Sequence, residues 1–196
     1  AYARELALHH AKSHDVTFLV KPFSDLEKKI AETPQIDSIN NPSDCDFTSF
    51  DIVILHSTQE LKKLWFKLAL AKIAKLSGRH APKVIVYTHI WISHSKIDPL
   101  HALTYSVVDR FWCGSEQSRT ILKKYLPLRN EKIEVVRYGR ATSDFIGKLL
   151  AKPDARRRLE IPDDAVVVGT MARVDKGKGS REILDAVTDL MQSRRD

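Results

Sequence analysis

The sequence has little cysteine, no uninterrupted apolar run of membrane-spanning length and no secretory leader pattern at its printed start. Its two cysteines, Cys45 and Cys113, are far apart and match no metal-binding or redox spacing, so we expect reduced thiols in a cytosolic protein. The longest apolar-leaning stretch, LKKLWFKLALAKIAKL, is interrupted by lysine every few residues, which excludes a membrane-spanning helix. The first residues, AYARELALHHAKSH, are amphipathic and charged, whereas a secretory leader has a basic tip and an apolar core.

The charge is unbalanced, with a formal net charge of +7 at pH 7. A basic balance favours anionic partners, which include nucleic acid, acidic lipid and phosphorylated small molecules. The lysines and arginines are scattered over many predicted helices, and there is no helix-turn-helix pattern, RNP motif or aromatic–basic stripe. Nucleic-acid binding is therefore the weakest of these interpretations.

Short β-branched runs alternate with helical patterns along the chain. The predicted strands are DVTFLV from Asp15, DIVILH from Asp51, KVIVYT from Lys83, DRFWC from Asp109, KIEVV from Lys132 and VVVGTM from Val166. The predicted helices are Tyr2–Ser13, Thr58–Leu76, Glu116–Tyr125, Ser143–Leu150 and Ser180–Met191. The strands are almost continuously apolar, which is typical of strands buried on both faces of a parallel sheet. The sequence therefore predicts an α/β fold with a doubly wound parallel sheet.

A charged, proline-containing stretch, KPDARRRLEIPDD, predicts a domain boundary because it carries no strand signal and precedes a new apolar strand. We expect a Rossmann-like first domain over 1–138, a linker over 139–161, and the beginning of a second Rossmann-like domain over 162–196. One strand and one helix cannot bury both faces of the strand. Either the chain is part of a longer protein, which we favour, or the last unit docks on the first domain.

Two cations lie in the turn between the last predicted strand and the last predicted helix, within VVVGTMARVDKGKGSREILDAV. Arg173 and Lys178, with glycines that allow close backbone approach at a helix start, suit a diphosphate. The spacing is not that of a P-loop, and Glu182 occupies the third glycine position of a dinucleotide fingerprint. Spacing alone leaves both a phosphate site and a solvated turn open.

This loop and four other stretches resemble the retaining, nucleotide-sugar-dependent glycosyltransferases of family four. Ala172-Arg173-Val174-Asp175 through Lys178-Gly179 is similar to the opening of that family's second domain. The other stretches, in the family's order, are HDVTFLV, DIVILHS, VIVYTH, and VDRFWCGSEQSRTILKKYL followed by KIEVVRYGRATSDF. The resemblance covers nearly the whole chain and implies the GT-B fold, in which two Rossmann-like domains face a cleft.

The resemblance implies transfer of a sugar from a nucleoside-diphosphate-sugar donor to an acceptor hydroxyl with retention, without a metal or other cofactor. Arg173 and Lys178, with Gly179, would hold the diphosphate and stabilise negative charge on the departing nucleotide, as preorganised cations do. His89 would act in the cleft near the transferred sugar. We expect this activity in polysaccharide, lipopolysaccharide or glycolipid synthesis.

The resemblance also implies positions for Ser115 and Glu116, at a helix start facing the cleft, and for Gly139 near the interdomain segment. Ser115 is equally suited to be the N-cap of its helix. The chain departs from the family at Arg140-Ala141, where a valine and an acidic residue are usual. The family's glycine-rich loop would precede Ala1 and its two-glutamate motif would follow Asp196, so we expect the printed chain to be incomplete for catalysis.

The expected partners are the nucleotide sugar and a glycan or lipid-linked acceptor, in the cytoplasm or on the inner face of the cell membrane. Trp65 and Phe66 beside several lysines leave a peripheral membrane contact open, although the pattern fits a helix packed on a sheet better. The histidines at 89, 94 and 101 lack a carboxylate or cysteine to complete a metal site. The alternatives are a non-catalytic α/β module that binds nucleotide or phosphate and, more weakly, a basic nucleic-acid-binding protein.

Overall fold

The computed structural model describes residues 2–89, 92, 94–139, 142–172, 174 and 177–193. The chain divides into two compact units, Ala1–Arg140 and Ala141–Asp196. The first unit confirms the predicted α/β fold, because it consists of parallel sheets flanked by helices in a Rossmann-like arrangement. The predicted linker over 139–161 and the second domain remain predictions.

Helices and strands alternate through the first unit. Its elements are α1 (Tyr2–His10), β1 (Thr17–Leu19), α2 (Asp25–Ala31), β2 (Asp37–Ile39), β3 (Ile52–Leu55), α3 (Thr58–Ala74), β4 (Lys83–Thr88), α4 (Pro99–Tyr105), β5 (Arg110–Cys113), α5 (Glu116–Tyr125) and β6 (Ile133–Val135). The helices described in the second unit are α6 (Thr142–Ile146), α7 (Lys152–Arg158) and α8 (Ser180–Ser193).

The main sheet has four parallel strands in the order β3-β4-β5-β6, and β1 and β2 form a separate parallel pair. Its register pairs Ile54 with Ile85, and Phe111 with both Val86 and Ile133. Because all four strands run the same way, the residues that follow them lie along one edge of the sheet. We call this the carboxyl edge, and it is the edge at which open α/β sheets bind ligands.

Helix α3 covers the sheet with one apolar face. Leu61, Leu64 and Leu68 follow a three- and four-residue spacing and are buried, as expected for one side of a helix that packs on a sheet. They join Val84 and Val86 of β4 in the larger core cluster. The central strand β4 is buried at every position after its first residue, which agrees with coverage on both faces.

The predicted strand over 166–171 is wrong. The backbone of these residues forms neither helix nor strand, and Val166, Val167 and Val168 are exposed. A strand is stable only when a neighbour satisfies its backbone hydrogen bonds. In the part of the second unit that the structure describes, there is no strand for this segment to pair with.

Four elements were not predicted: α2, β2, α4 and α7. Each is short, at three to seven residues, and too brief to show a clear periodic pattern. Helix α7 lies inside the predicted linker, whose prolines and charges had indicated a domain boundary without a helix. Pro153 is compatible with the helix because it falls in the first turn, where proline is tolerated.

Candidate functional site

Three ring side chains are joined by hydrogen bonds at the carboxyl edge. Nδ1 of His89 lies 2.8 Å from the hydroxyl of Tyr138. Nε2 of the same imidazole lies 3.1 Å from Nδ1 of His56, and the two imidazole rings are nearly parallel, with 8° between their planes. The residues follow β4, β6 and β3 respectively, so the parallel sheet brings them together. We call them the His–Tyr array.

His56 is held from its backbone. It stands just before Ser57, whose hydroxyl accepts a hydrogen bond from the backbone N–H of Glu60 at 3.1 Å and so caps α3. The carboxylate of Glu60 returns to accept from the backbone N–H of His56 at 2.7 Å. This pattern is close to a capping box, which satisfies free backbone donors reciprocally at a helix start. The first turn of α3 therefore fixes the backbone position of His56, from which its imidazole extends.

Tyr138 is held by aromatic neighbours and by a glycine. Its ring stacks on Tyr87 with centroids 5.5 Å apart and 12° between the planes, and Tyr2 of α1 meets it edge-on at 4.8 Å. A Cβ on Gly114, just after β5, would lie 2.8 Å from Cε2 of Tyr138. Only glycine leaves room for the ring there. The hydroxyl of Tyr87 donates to the backbone carbonyl of Val136 at 2.6 Å, which ties the segment after β6 to β4.

The array is neutral near physiological pH. Burial, together with the neighbouring His89, lowers the pKa of His56 to about 4. Burial also lowers the pKa of His89. Burial raises the pKa of Tyr138 and Tyr87, so both phenols keep their protons. The arrangement can therefore donate to and accept from hydroxyl groups, and it offers no ready thiolate or carboxylate nucleophile.

The predicted residues Ser115 and Glu116 are the N-cap and the first residue of α5, and only Gly114 separates them from β5. Ser115 accepts a hydrogen bond from the backbone N–H of Ser118 at 3.1 Å, so it is the N-cap. Glu116 pairs with Arg119 within the helix at 3.4 Å. Gly139 is exposed and follows Tyr138. The structure places all three at the carboxyl edge with His89, whereas the side-chain hydrogen bonds of Ser115 and Glu116 stay within α5.

The predicted phosphate loop falls partly outside the described residues, because Arg173 is not among them. Lys178 is exposed, and Gly179 follows it with a φ of +69°, a conformation that favours glycine. Helix α8 begins at the next residue. That Arg173 and Lys178 meet here therefore remains a prediction.

Within the residues that the structure describes, no group of three or more His, Cys, Asp and Glu side chains could hold a metal ion. His101 instead lies 2.5 Å from the carboxylate of Asp98, the residue that caps α4. No helix in the described part of the chain is long and apolar enough to cross a membrane.

Helix α3 has a second apolar stripe on the side away from the sheet. Phe66, Leu70 and Ile73 repeat at four- and three-residue spacing and are 60%, 51% and 59% exposed. Lys62 and Lys63 are exposed on the same side of the helix. The sequence pattern favoured a helix packed on a sheet; the structure agrees for one face and leaves the opposite stripe uncovered within the first unit.

Sequence reasoning missed several residues of the site. Those that it did not single out are His56, Gly114, Tyr138, Tyr87 and Tyr2. A signal was present for the first, because DIVILHSTQE ends a strand with histidine directly before a Ser-x-x-Glu cap. No local pattern marks Gly114 and Tyr138 as partners, because they are distant in sequence and meet only through the sheet.

No protein-family model matches the chain, and no match is found among curated proteins. A function must therefore be argued from the residues and their arrangement.

Proposed function

We propose that the chain is part of a retaining glycosyltransferase that moves a sugar from a nucleoside-diphosphate donor to an acceptor hydroxyl. The observation that carries this proposal is the placement of His89, Ser115–Glu116 and Gly139. They follow three adjacent parallel strands, β4, β5 and β6, along one edge of the sheet. Ligands of open α/β sheets bind outside this edge. The ordered motifs in the sequence support the same function.

The chemistry of the His–Tyr array suits a sugar or another polyol. A neutral imidazole and a protonated phenol can exchange hydrogen bonds with hydroxyl groups without introducing charge. A ligand hydroxyl reaches Nδ1 of His89 by taking the position that the Tyr138 hydroxyl now holds. Arg173 and Lys178 would stabilise negative charge on the leaving diphosphate, so the reaction needs no cofactor beyond the donor. The acceptor would be a glycan or a lipid-linked sugar.

A nucleotide-dependent melting experiment tests the donor site. The chain is heated with UDP, GDP, ADP or sulfate, and the same panel is repeated on Arg173→Ala/Lys178→Ala. The matched control is Lys152→Ala/Arg158→Ala, which removes the same charges from exposed positions on α7. A diphosphate at about 100 times its Kd stabilises by about 2.7 kcal/mol, which corresponds to several degrees in Tm.

We expect one diphosphate to raise Tm well above sulfate in the wild type and in the control, and not in the Arg173/Lys178 variant. Nucleotides that all behave like sulfate would contradict a donor site on this chain. A non-catalytic module would pass the melting test and still release no nucleoside diphosphate from a sugar nucleotide when an acceptor is added. A nucleic-acid binder would instead show steep salt dependence and no preference among nucleotides.

The uncovered stripe of α3 supports a peripheral contact with an anionic membrane, where a lipid-linked acceptor would reside. Apolar side chains flanked by lysines are typical of helices that lie in the membrane interface. We expect co-sedimentation with vesicles that contain phosphatidylglycerol and none with phosphatidylcholine alone. Leu70→Glu should abolish it, and Leu159→Glu, at a leucine of the second unit that is more exposed than Leu70, should not. Equal sedimentation of both variants would contradict the contact.

A further inference from the structure

We propose that His56 is a positioning residue that sets the tautomer of His89. It accepts a hydrogen bond from Nε2–H of His89 and thereby leaves Nδ1 of His89 as an acceptor for a hydroxyl group. The Tyr138 hydroxyl holds that place in the structure, and a ligand hydroxyl would replace it. The assignment of a sugar to this place rests on the proposed function; the proton arrangement does not.

The hydrogen bonds of the His–Tyr array run in one direction, from Tyr138 through His89 to His56. Both ring nitrogens of His89 are engaged, at 2.8 Å by the Tyr138 hydroxyl and at 3.1 Å by Nδ1 of His56. In a neutral imidazole one nitrogen donates and the other accepts, and the partners decide which. A phenol is a good donor, and an imidazole nitrogen is a stronger acceptor than a phenol oxygen. Tyr138 therefore donates to Nδ1 of His89.

The rest of the chain follows from that first bond. Because Nδ1 of His89 accepts, the proton of this neutral ring is on Nε2, which donates to Nδ1 of His56. The proton of His56 is then on its own Nε2. The reverse chain would make a phenol oxygen accept from an imidazole N–H, which is the weaker pairing.

The surroundings keep the array uncharged and oriented. The titratable groups that face it are Tyr2 from α1, Tyr87 from β4, Cys113 from β5 and Glu60 from α3, which contacts the backbone N–H of His56. Burial raises the pKa of Tyr87 and Cys113, so both stay protonated.

Protonation of His56 would reverse the direction of the hydrogen bonds in the array. A cationic His56 presents N–H at Nδ1, which faces the N–H on Nε2 of His89, and two donors cannot share one hydrogen bond. His89 would then have to move its proton to Nδ1 and could no longer accept from a hydroxyl there. The tautomer of His89 is thus an observable that reports on His56 directly.

The tautomers can be read from ¹⁵N shifts of the chain labelled at histidine, at about pH 7.5, where an ordinary histidine is neutral. We expect Nδ1 of His89 and Nδ1 of His56 to be unprotonated and both Nε2 atoms to carry hydrogen. Because the Tyr138 hydroxyl by itself favours the same tautomer, the role of His56 is tested in Tyr138→Phe, where we expect His56 alone to keep the proton on Nε2 of His89. Adding His56→Phe, which keeps a ring and removes the acceptor, should then move the His89 signals to a mixture of tautomers. Adding His56→Asn instead, whose side-chain oxygen can stand where Nδ1 was, should keep the shifts of Tyr138→Phe.

Several outcomes would overturn the proposal. They are a proton on Nδ1 of His89 in the wild type, or the same tautomer in Tyr138→Phe and in Tyr138→Phe/His56→Phe when the amide spectra of both variants show the native fold. Added Zn²⁺ should leave the histidine shifts unchanged; a shift of both rings would mean that the pair binds metal instead. None of these spectra requires a ligand. They therefore test the role of His56 independently of the nucleotide melting experiment, which tests the donor site, and one proposal can fail while the other holds.

Discussion

The ring of Tyr138 lies against the backbone of Gly114, so closely that a Cβ on the glycine would approach Cε2 of the tyrosine to 2.8 Å. Gly114 follows β5 and Tyr138 follows β6, and these strands are neighbours in the sheet. The missing side chain allows the tyrosine to cross the end of β5 and reach His89 at the end of β4. Gly114 thus helps to assemble the His–Tyr array.

Gly114→Ala should therefore displace Tyr138 and break its hydrogen bond to His89. Overpacking of this kind costs about 1–3 kcal/mol of stability. The shift of Nδ1 in His89 should move toward that of a nitrogen exposed to water, and urea unfolding should give a lower midpoint. Gly139→Ala is the matched control, because nothing lies within 4 Å of a Cβ there. Identical spectra for the two variants would contradict the contact.

The stability of the first unit should fall as the pH drops from about 6.5 to about 4, through the effect of His56. The pKa of this imidazole is about 4 in the folded chain because of burial and the neighbouring His89, and it is about 6.5 when unfolded. Between these values the unfolded state binds more protons, so acid favours unfolding. Below the folded pKa, protonation of His56 causes no further loss of stability.

The measurement is the urea midpoint as a function of pH, for the wild type and for His56→Asn. Carboxylates contribute to both curves, so the difference between the curves isolates the histidine. We expect the difference to change across that window and to be flat above it. A constant difference at every pH would mean that His56 titrates normally in the folded chain.

Asp109 should be a main polar tie between α3 and the sheet. Its carboxylate accepts from the backbone N–H of Val84 at 2.7 Å and pairs with Lys72 of α3. Burial raises the pKa of Asp109, but these two hydrogen bonds, together with the charges of Lys72 and Lys83, outweigh it, and the pKa lies below its ordinary value.

Asp109→Asn should lower the free energy of unfolding by about 1–3 kcal/mol, as for other hydrogen bonds to charged groups. Urea unfolding measures the loss. Asp51→Asn is the control, since that side chain is 95% exposed and its pairing with His80 should contribute nothing measurable. Because the pKa of Asp109 is depressed, its contribution is present above the unfolded value of about 3.9 and is lost as the pH falls through the folded one. Equal midpoints for the two variants would show that Asp109 does not tie α3 to β4.

Gly179→Ala should weaken the start of α8. The φ of +69° at this residue is costly for any side chain, by about 1 kcal/mol. Thermal melting followed by circular dichroism at 222 nm should show earlier loss of helix. Gly169→Ala, with no atom near its Cβ and no positive φ, should melt like the wild type. Should both variants melt alike, the left-handed turn before α8 does not form in solution.

Some of this protein was determined by local sequence. The runs IVIL, KVIVYT and RFWC are strands because their β-branched and aromatic residues fill a sheet buried on both faces. Helix α5 spans the predicted residues, Glu116–Tyr125, because Ser115 supplies a cap and the apolar spacing is regular. The placement of His89, Ser115 and Gly139 at the carboxyl edge also follows from strand order, since each lies within four residues after the end of a strand of a parallel sheet.

Tertiary structure decided the rest. His56 and His89 are 33 positions apart and Tyr138 is 49 beyond His89, and no local pattern encodes which rings meet. The apolar run at 166–171 shows the converse, because its strand-like composition gives no strand where no described partner supplies backbone hydrogen bonds. Local sequence sets which face of an element is apolar and where it begins and ends. Hydrogen bonding between distant segments, and the space that a residue such as Gly114 leaves open, set which side chains form the site.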